Sequence, residues 1–193
     1  MANYRTTFLT EFLQRPLATG SLIPSSSYLA KTIVQQAALK STDTVLEFGP
    51  GTGVFTFHIL EQLRPQSTFA AIEINPRLAA VFRAAHPGVR LFEDSVENVR
   101  AICDSMQIEA VDCVISGLPW AFFSDSTQSR ILGEMARVLR PGGKFVTFGY
   151  VHSLALPGAR HFAGLLPAYF RKVSRSSIVW MNVPPAFVYR CIY

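Results

Sequence analysis

The residues best suited to chemistry fall in three short stretches of the first half of the chain. The first, Glu47-Phe48-Gly49-Pro50-Gly51-Thr52-Gly53, sets a carboxylate just ahead of alternating glycines. Gly49, Gly51 and Gly53 let the backbone turn sharply and approach a ligand where a Cβ would collide. A helix starting after Gly53 offers unpaired N–H groups to a carboxylate. The second stretch, Ala71-Ile72-Glu73-Ile74-Asn75-Pro76, puts Glu73 about 20 residues beyond the glycines, where a carboxylate can accept both hydroxyls of a ribose. That placement suits a nicotinamide dinucleotide equally well. In the third, Phe92-Glu93-Asp94-Ser95-Val96, Asp94 can accept a hydrogen bond from an adenine amino group, or cap a helix. Together Glu47, Glu73 and Asp94 make a negative field, which suits a sulfonium nucleoside better than a pyrophosphate.

These stretches need elements to hold them. Apolar runs bounded by turn residues predict strands at Thr44–Phe48, Thr68–Glu73, Val89–Glu93, Val111–Ser116 and Lys144–Tyr150. Between them, helical periodicity predicts helices at about Ser26–Leu39, Val54–Leu63, Pro76–Ala85, Ser95–Ser105 and Asp125–Leu139. Ser25 or Ser26 suits an N-cap, Pro76 a first turn, and Pro141-Gly142-Gly143 a stop. Alternating strands and helices imply a parallel sheet covered on both faces. The tail breaks the rhythm: β-rich runs at Ser176–Asn182 and Ala186–Tyr193 are joined only by Val183-Pro184-Pro185. So short a link permits an antiparallel hairpin and no parallel crossover. The expectation is an α/β fold with a seven-stranded, mostly parallel Rossmann-like sheet closed by a C-terminal hairpin. The glycine turn and the acidic strand ends then converge on one edge of it.

Only 16% of the residues are charged and 49% are apolar, which excludes a globally disordered chain. A formal charge of +5 makes an anionic partner plausible without choosing one. Cys103, Cys113 and Cys191 lack metal or redox spacing and read as core residues; no metal site is expected. No apolar run is long enough to serve as a signal peptide or to span a bilayer easily, so a cytoplasmic protein is expected. Residues 1–25 stand apart from the domain at 26–193. Tyr4, Phe8, Leu9, Phe12 and Leu13 share one helical face. That face can cap the domain, or lie in a membrane interface with Tyr4, Phe8 and Phe12 as contacts.

The cofactor stretches resemble the class I S-adenosylmethionine methyltransferases, and the form EFGPGTG with EINP is similar to the ribosomal RNA adenine dimethylase group. This resemblance implies that Glu47 to Gly53 surround the methionine moiety, Glu73 with Ile74 the ribose, and Asp94 with Ser95 the adenine. At the end of the fourth strand, Ser116-Gly117-Leu118-Pro119-Trp120 has glycine where the adenine dimethylases carry asparagine, a departure from nucleobase chemistry. A longer likeness is to bacterial phospholipid N-methyltransferases, in Phe12-Leu13 through Thr19-Gly20-Ser21-Leu22-Ile23-Pro24-Ser25-Ser26, Ser116-Gly117-Leu118-Pro119 and Trp180-Met181-Asn182-Val183-Pro184-Pro185-Ala186-Phe187-Val188-Tyr189. It implies N-methylation of phosphatidylethanolamine toward phosphatidylcholine by a monomer on the inner membrane face. The partners would be phospholipid and an anionic surface, and no nucleic acid. Ser116 and Tyr150 are the catalytic candidates by position, and Ser116 also adjoins the cofactor. Leu118, Pro119, Trp120 and Tyr150 are the candidates for substrate contact. Rings at Trp120, Phe122, Phe123 and Tyr150 either face the methylated cation or fill the core. Two other readings stay open: transfer to RNA, protein or a soluble small molecule, and a non-catalytic cofactor- or lipid-binding module.

Overall fold

The computed structural model describes residues 26–39 and 44–193. The segment 1–25, with Tyr4, Phe8 and Phe12, lies outside the described residues. The elements run α1 (Ser27–Ala37), β1 (Thr44–Phe48), α2 (Val54–Leu60), β2 (Thr68–Ile72), α3 (Pro76–Ala85) and β3 (Arg90–Phe92). They continue with α4 (Val99–Ser105), β4 (Val111–Ser116), α5 (Asp125–Val138), β5 (Leu139–Tyr150), α6 (Pro157–Tyr169), β6 (Lys172–Arg175) and β7 (Ala186–Ile192). Polar caps set several helix starts: the Ser26 hydroxyl accepts from the Leu29 N–H, Asn75 from that of Arg77, and Ser124 from that of Thr127.

The strands form one sheet in the order β3-β2-β1-β4-β5-β7-β6, parallel up to β5 and antiparallel at β7 and β6. The order reverses between β1 and β4, so their carboxyl ends diverge into a crevice where α/β proteins bind ligands. The alternation of β1 explains the two cores. Leu46 and Phe48 join the cluster under α4, α5 and α6, while Val45 faces α1 and α2 with Leu29, Ile33, Phe55 and Ile59. Cys103, Cys113 and Cys191 are free and buried.

Strand β5 starts at Leu139, ahead of the expected Lys144, and two features of the C-terminal part also depart from the expectation. The first hairpin strand is Lys172–Arg175, and residues 176–185 are a connection closed by a single Val179–Ala186 bridge. Side chains pre-empt the ladder here: the Ser176 hydroxyl accepts from the Val188 N–H at 3.0 Å, and Pro184 and Pro185 have no N–H to donate. Residues 157–169, which the apolar pattern left unassigned, form α6. Among the described residues no helix is long and apolar enough to cross a membrane.

Candidate active site

At the tip of β1 the sheet ladder runs on beyond the strand, the Gly49 N–H donating to Ile72 and the Gly117 N–H to Phe48, at 2.9 and 2.8 Å. This locks the glycine turn between the ends of β2 and β4. Gly51, at φ +59°, has open space where a Cβ would stand, so a side chain there would fill the crevice that the bare backbone leaves. A Cβ on Gly117 would lie 2.5 Å from the Gly49 carbonyl oxygen. The two turns thus touch backbone to backbone, and the asparagine of the adenine dimethylases has no room at this position.

The carboxylates flank that turn. Glu73, nearly buried, accepts from the Gly51 N–H at 3.1 Å and the Asn75 N–H at 2.9 Å, tying the tip of β2 to the turn. Burial raises its pKa, opposed by these backbone donors. Glu47 is fully buried on the α2 side of β1, where one carboxylate oxygen accepts from the Thr56 hydroxyl at 2.6 Å. Its Oε1 has no hydrogen-bond partner. Desolvation, with the charge of Glu73, pushes its pKa up to about 8 despite the Thr56 bond. A buried carboxylate oxygen without a donor beside a second acid fits a cationic ligand group. Asp94 accepts through Oδ1 from the Ser95 N–H and from Asn98, at 2.6 and 2.8 Å. Ser95, and not Asp94, caps the following 3-10 turn, through a bond from the Glu97 N–H. Ile74, beside Glu73, is 54% exposed, an apolar side chain set free along the tips of β2 and β3.

A cavity of about 240 Å³ opens on the other side of the glycine turn. Gly49 and Gly51 form one wall, Leu118, Pro119 and Phe122 the next, and Phe148, Tyr150 and His152 a third. Phe162, Phe187 and Tyr189 complete it, and no Asp, Glu, Lys or Arg lines it. Burial raises the Tyr150 pKa, and the ring lies edge-on to Phe148 and stacked with His152. Glu73, Ile74, Asp94 and Ser95 lie outside this cavity, joined to it through the Gly51–Glu73 bond.

Ser116 is fully buried beneath the turn and does not line the cavity. Its hydroxyl accepts from the Leu118 N–H and the Trp120 indole N–H, both at 3.2 Å, and the indole also donates to Thr147 at 3.1 Å. Trp120 is 3% exposed and stacks on Phe162 at 4.4 Å, while Phe123 is buried edge-on to it. Trp120 therefore shapes the wall from within the core. Of the four rings, Phe122 and Tyr150 join Trp120 at the cavity and Phe123 does not.

Two contributors escaped the sequence reading. Gln128, fully buried on α5, donates to the carbonyls of Trp120 and Gly158 at 2.8 and 2.9 Å, bolting the acceptor wall to the start of α6. Phe162 comes from α6 itself. The spacing of Ala159, Phe162, Ala163 and Leu166 after Pro157 carries the signal that would have found that helix. The site thus has a polar, acid-flanked half suited to a cationic nucleoside and an uncharged aromatic half suited to an acceptor.

A family model described as a methyltransferase domain matches residues 45–143, about half the chain. The ornithine lipid N-methyltransferase of Singulisphaera acidiphila is 29% identical over 189 residues, covering 95% of this chain and 93% of that protein. A probable dimethyladenosine transferase of Caenorhabditis elegans is 34% identical over 113 residues, 58% of this chain but 35% of its own length. Among solved structures, the O-methyltransferase from Bacillus cereus in complex with SAH superposes at a TM-score of 0.70, with 14% identity over 95% of this chain and 90% of that one. The O-methyltransferase TomG from Streptomyces achromogenes, in complex with SAM, gives 0.66, with 18% identity over 86% and 80%. When bound, S-adenosylmethionine supplies a methyl group made electrophilic by the sulfonium, and the residues around Gly51 fit it. The chain belongs to the methyltransferase domain family, and it is an S-adenosylmethionine-dependent methyltransferase.

Proposed function

We propose that the protein N-methylates the headgroup amine of a membrane lipid, with phosphatidylethanolamine and its methylated products as substrates. The observation that carries this reading is the near end-to-end match to a lipid N-methyltransferase, 93% of that protein against 35% for the dimethyladenosine transferase. The missing room for a side chain at Gly117 argues in the same direction.

The uncharged cavity suits the reaction. An amine attacks a methyl group only when unprotonated, and desolvation among aromatic and aliphatic walls disfavours the ammonium. The rate gain comes from holding the amine in line with the departing sulfur and keeping water out. Tyr150 and Phe122 offer ring faces to the methylated cation, each such contact being worth about 0.5–2 kcal/mol. Gly51 and Glu73 hold the nucleoside in place, and Ser116 positions the Gly117–Trp120 turn through its hydroxyl. In this reading Tyr4, Phe8 and Phe12 rest on the anionic inner leaflet, and the enzyme acts there as a monomer.

The test is to incubate the purified chain with methyl-labelled S-adenosylmethionine and vesicles containing phosphatidylethanolamine, and with ornithine lipid vesicles in parallel. Label should enter phosphatidylethanolamine as mono-methylated and then more highly methylated lipid. Label in ornithine lipid alone would replace the headgroup, and label in neither lipid across a range of vesicle charge would overturn the proposal.

A further inference from the structure

Among the described residues, the three most exposed large apolar side chains fall in one short stretch. Trp180, Met181 and Val183 are 65–68% exposed, and Ile178 joins them, all within the connection from β6 to β7. This connection is a built feature. The Val179–Ala186 bridge closes it, and the buried Asn182 accepts from the Ser26 N–H at 2.9 Å and donates to the Pro184 carbonyl at 2.7 Å. The Asn182 side chain pins the connection to the start of α1, so the outward side chains are held out.

The connection belongs to the mouth of the acceptor cavity. Pro184 lines that cavity, and the Val151 N–H donates to the Pro185 carbonyl at 2.9 Å, joining the connection to residues 151–156. That second segment also lines the cavity and exposes Leu154 and Leu156. Charge on this part of the chain has one sign. After Glu134 the sequence holds eight Lys and Arg and no Asp or Glu. Four of these, Arg160, Arg171, Lys172 and Arg175, lie between β5 and β7, are exposed, and form no ion pair among the described residues. Arg175 rests over the cavity rings Phe187 and Tyr189, its guanidinium 5.7 and 5.9 Å from their centres.

We infer that the β6–β7 connection docks the enzyme onto an anionic phospholipid bilayer, with Trp180, Met181 and Val183 entering the interface and unpaired cations, Arg175 foremost, meeting lipid phosphates. An exposed tryptophan among aliphatic side chains, with Arg175 at the root of the connection, matches the chemistry of the headgroup boundary. Charge of a single sign favours that occupant over a second copy of this chain, whose matching patch would repel it. The inference rests on the lipid reading above and adds where the surface meets the site, so that a headgroup amine enters the cavity without its lipid leaving the membrane.

The tryptophans make a direct test, since Trp120 is buried and Trp180 is 68% exposed. The full chain is titrated with phosphatidylcholine vesicles, with and without phosphatidylglycerol, carrying brominated lipids as depth-dependent quenchers. Emission should shift to the blue and be quenched on the anionic vesicles, less so at high salt, and Trp180→Phe should lose most of the response. Met181→Asp with Val183→Asp should weaken vesicle partitioning tenfold or more. Methylation of short-chain phosphatidylethanolamine below its micellar threshold should stay within twofold in that variant, which also certifies its fold. Absence of quenching, or equal partitioning of wild type and the double variant, overturns the docking surface and leaves the lipid chemistry standing if the soluble lipid is methylated. A dimer that Met181→Asp dissociates, without quenching, overturns it in favour of contact between copies. Quenching without methylation of any lipid keeps the docking surface and removes the substrate.

Discussion

At the scale of single residues, the proposed cofactor site turns on three groups. Gly51 occupies a left-handed backbone position with nothing beyond its absent Cβ. Gly51→Val both strains that turn and fills the crevice, and should weaken binding of the demethylated cofactor at least a hundredfold by calorimetric titration. Glu73→Ala removes the anchor of the Gly51 N–H and should cost tenfold or more in the same measurement; unchanged affinity in both variants would remove the assignment. Glu47 adds a pH signature. Its pKa rises from 4.5 to about 8 in the fold, so the cofactor-free folded state keeps a proton that the unfolded state releases. Its contribution to stability is complete below pH 4.5 and declines as pH climbs toward 8. Glu47→Gln should flatten that decline, and the melting-temperature difference between variant and wild type should widen by several degrees from pH 5 to 8.5, at roughly 2–4 °C per kcal/mol. A constant difference would contradict the buried, protonated carboxyl. Much of this was legible beforehand, because a glycine turn and acids at strand ends are local patterns. The engagement of the Ser116 hydroxyl by a tryptophan four residues on was not, since nothing in the spacing says which side of the turn the indole takes.

At the scale of elements, the acceptor wall depends on how α5 and α6 pack beneath it. Trp120 is held by Phe162 from one helix and by Gln128 from the other. Phe162→Ala should cost about 3–5 kcal/mol of stability, the usual penalty for emptying an aromatic site in a core. Where the variant still folds, kcat/KM for the amine should fall at least tenfold while affinity for the demethylated cofactor stays within about twofold. Loss of both together would mean that the two halves of the site are not separable. The five parallel strands announced themselves as apolar runs between turns. Helix α6 escaped because its apolar face follows directly on the apolar end of β5, and Pro167 sits inside it. The hairpin was legible as a kind of element but not in its register. The run Ser176–Asn182 is as β-rich in composition as a strand, yet the Ser176 hydroxyl takes the Val188 N–H and the Asn182 amide takes the Pro184 carbonyl, backbone groups that a ladder would need.

At the scale of the whole molecule, the polarity is from acid to base along the chain. Glu47, Glu73 and Asp94 gather at the tips of β1, β2 and β3, while no Asp or Glu follows Glu134. In the proposed reading a cationic nucleoside and an anionic lipid surface are drawn to different parts of the molecule, with the uncharged cavity between them. The net charge hinted at an anionic partner, but only the fold brings Arg175 and the apolar β6–β7 connection alongside the cavity walls. The most direct measurement compares methyl transfer to phosphatidylethanolamine in anionic vesicles with transfer to glycerophosphoethanolamine, the same headgroup in water. A kcat/KM at least a hundredfold higher for the vesicle lipid is the predicted result. Equal values for the two, or a preference for the water-soluble amine, would contradict a lipid methyltransferase working at a membrane surface.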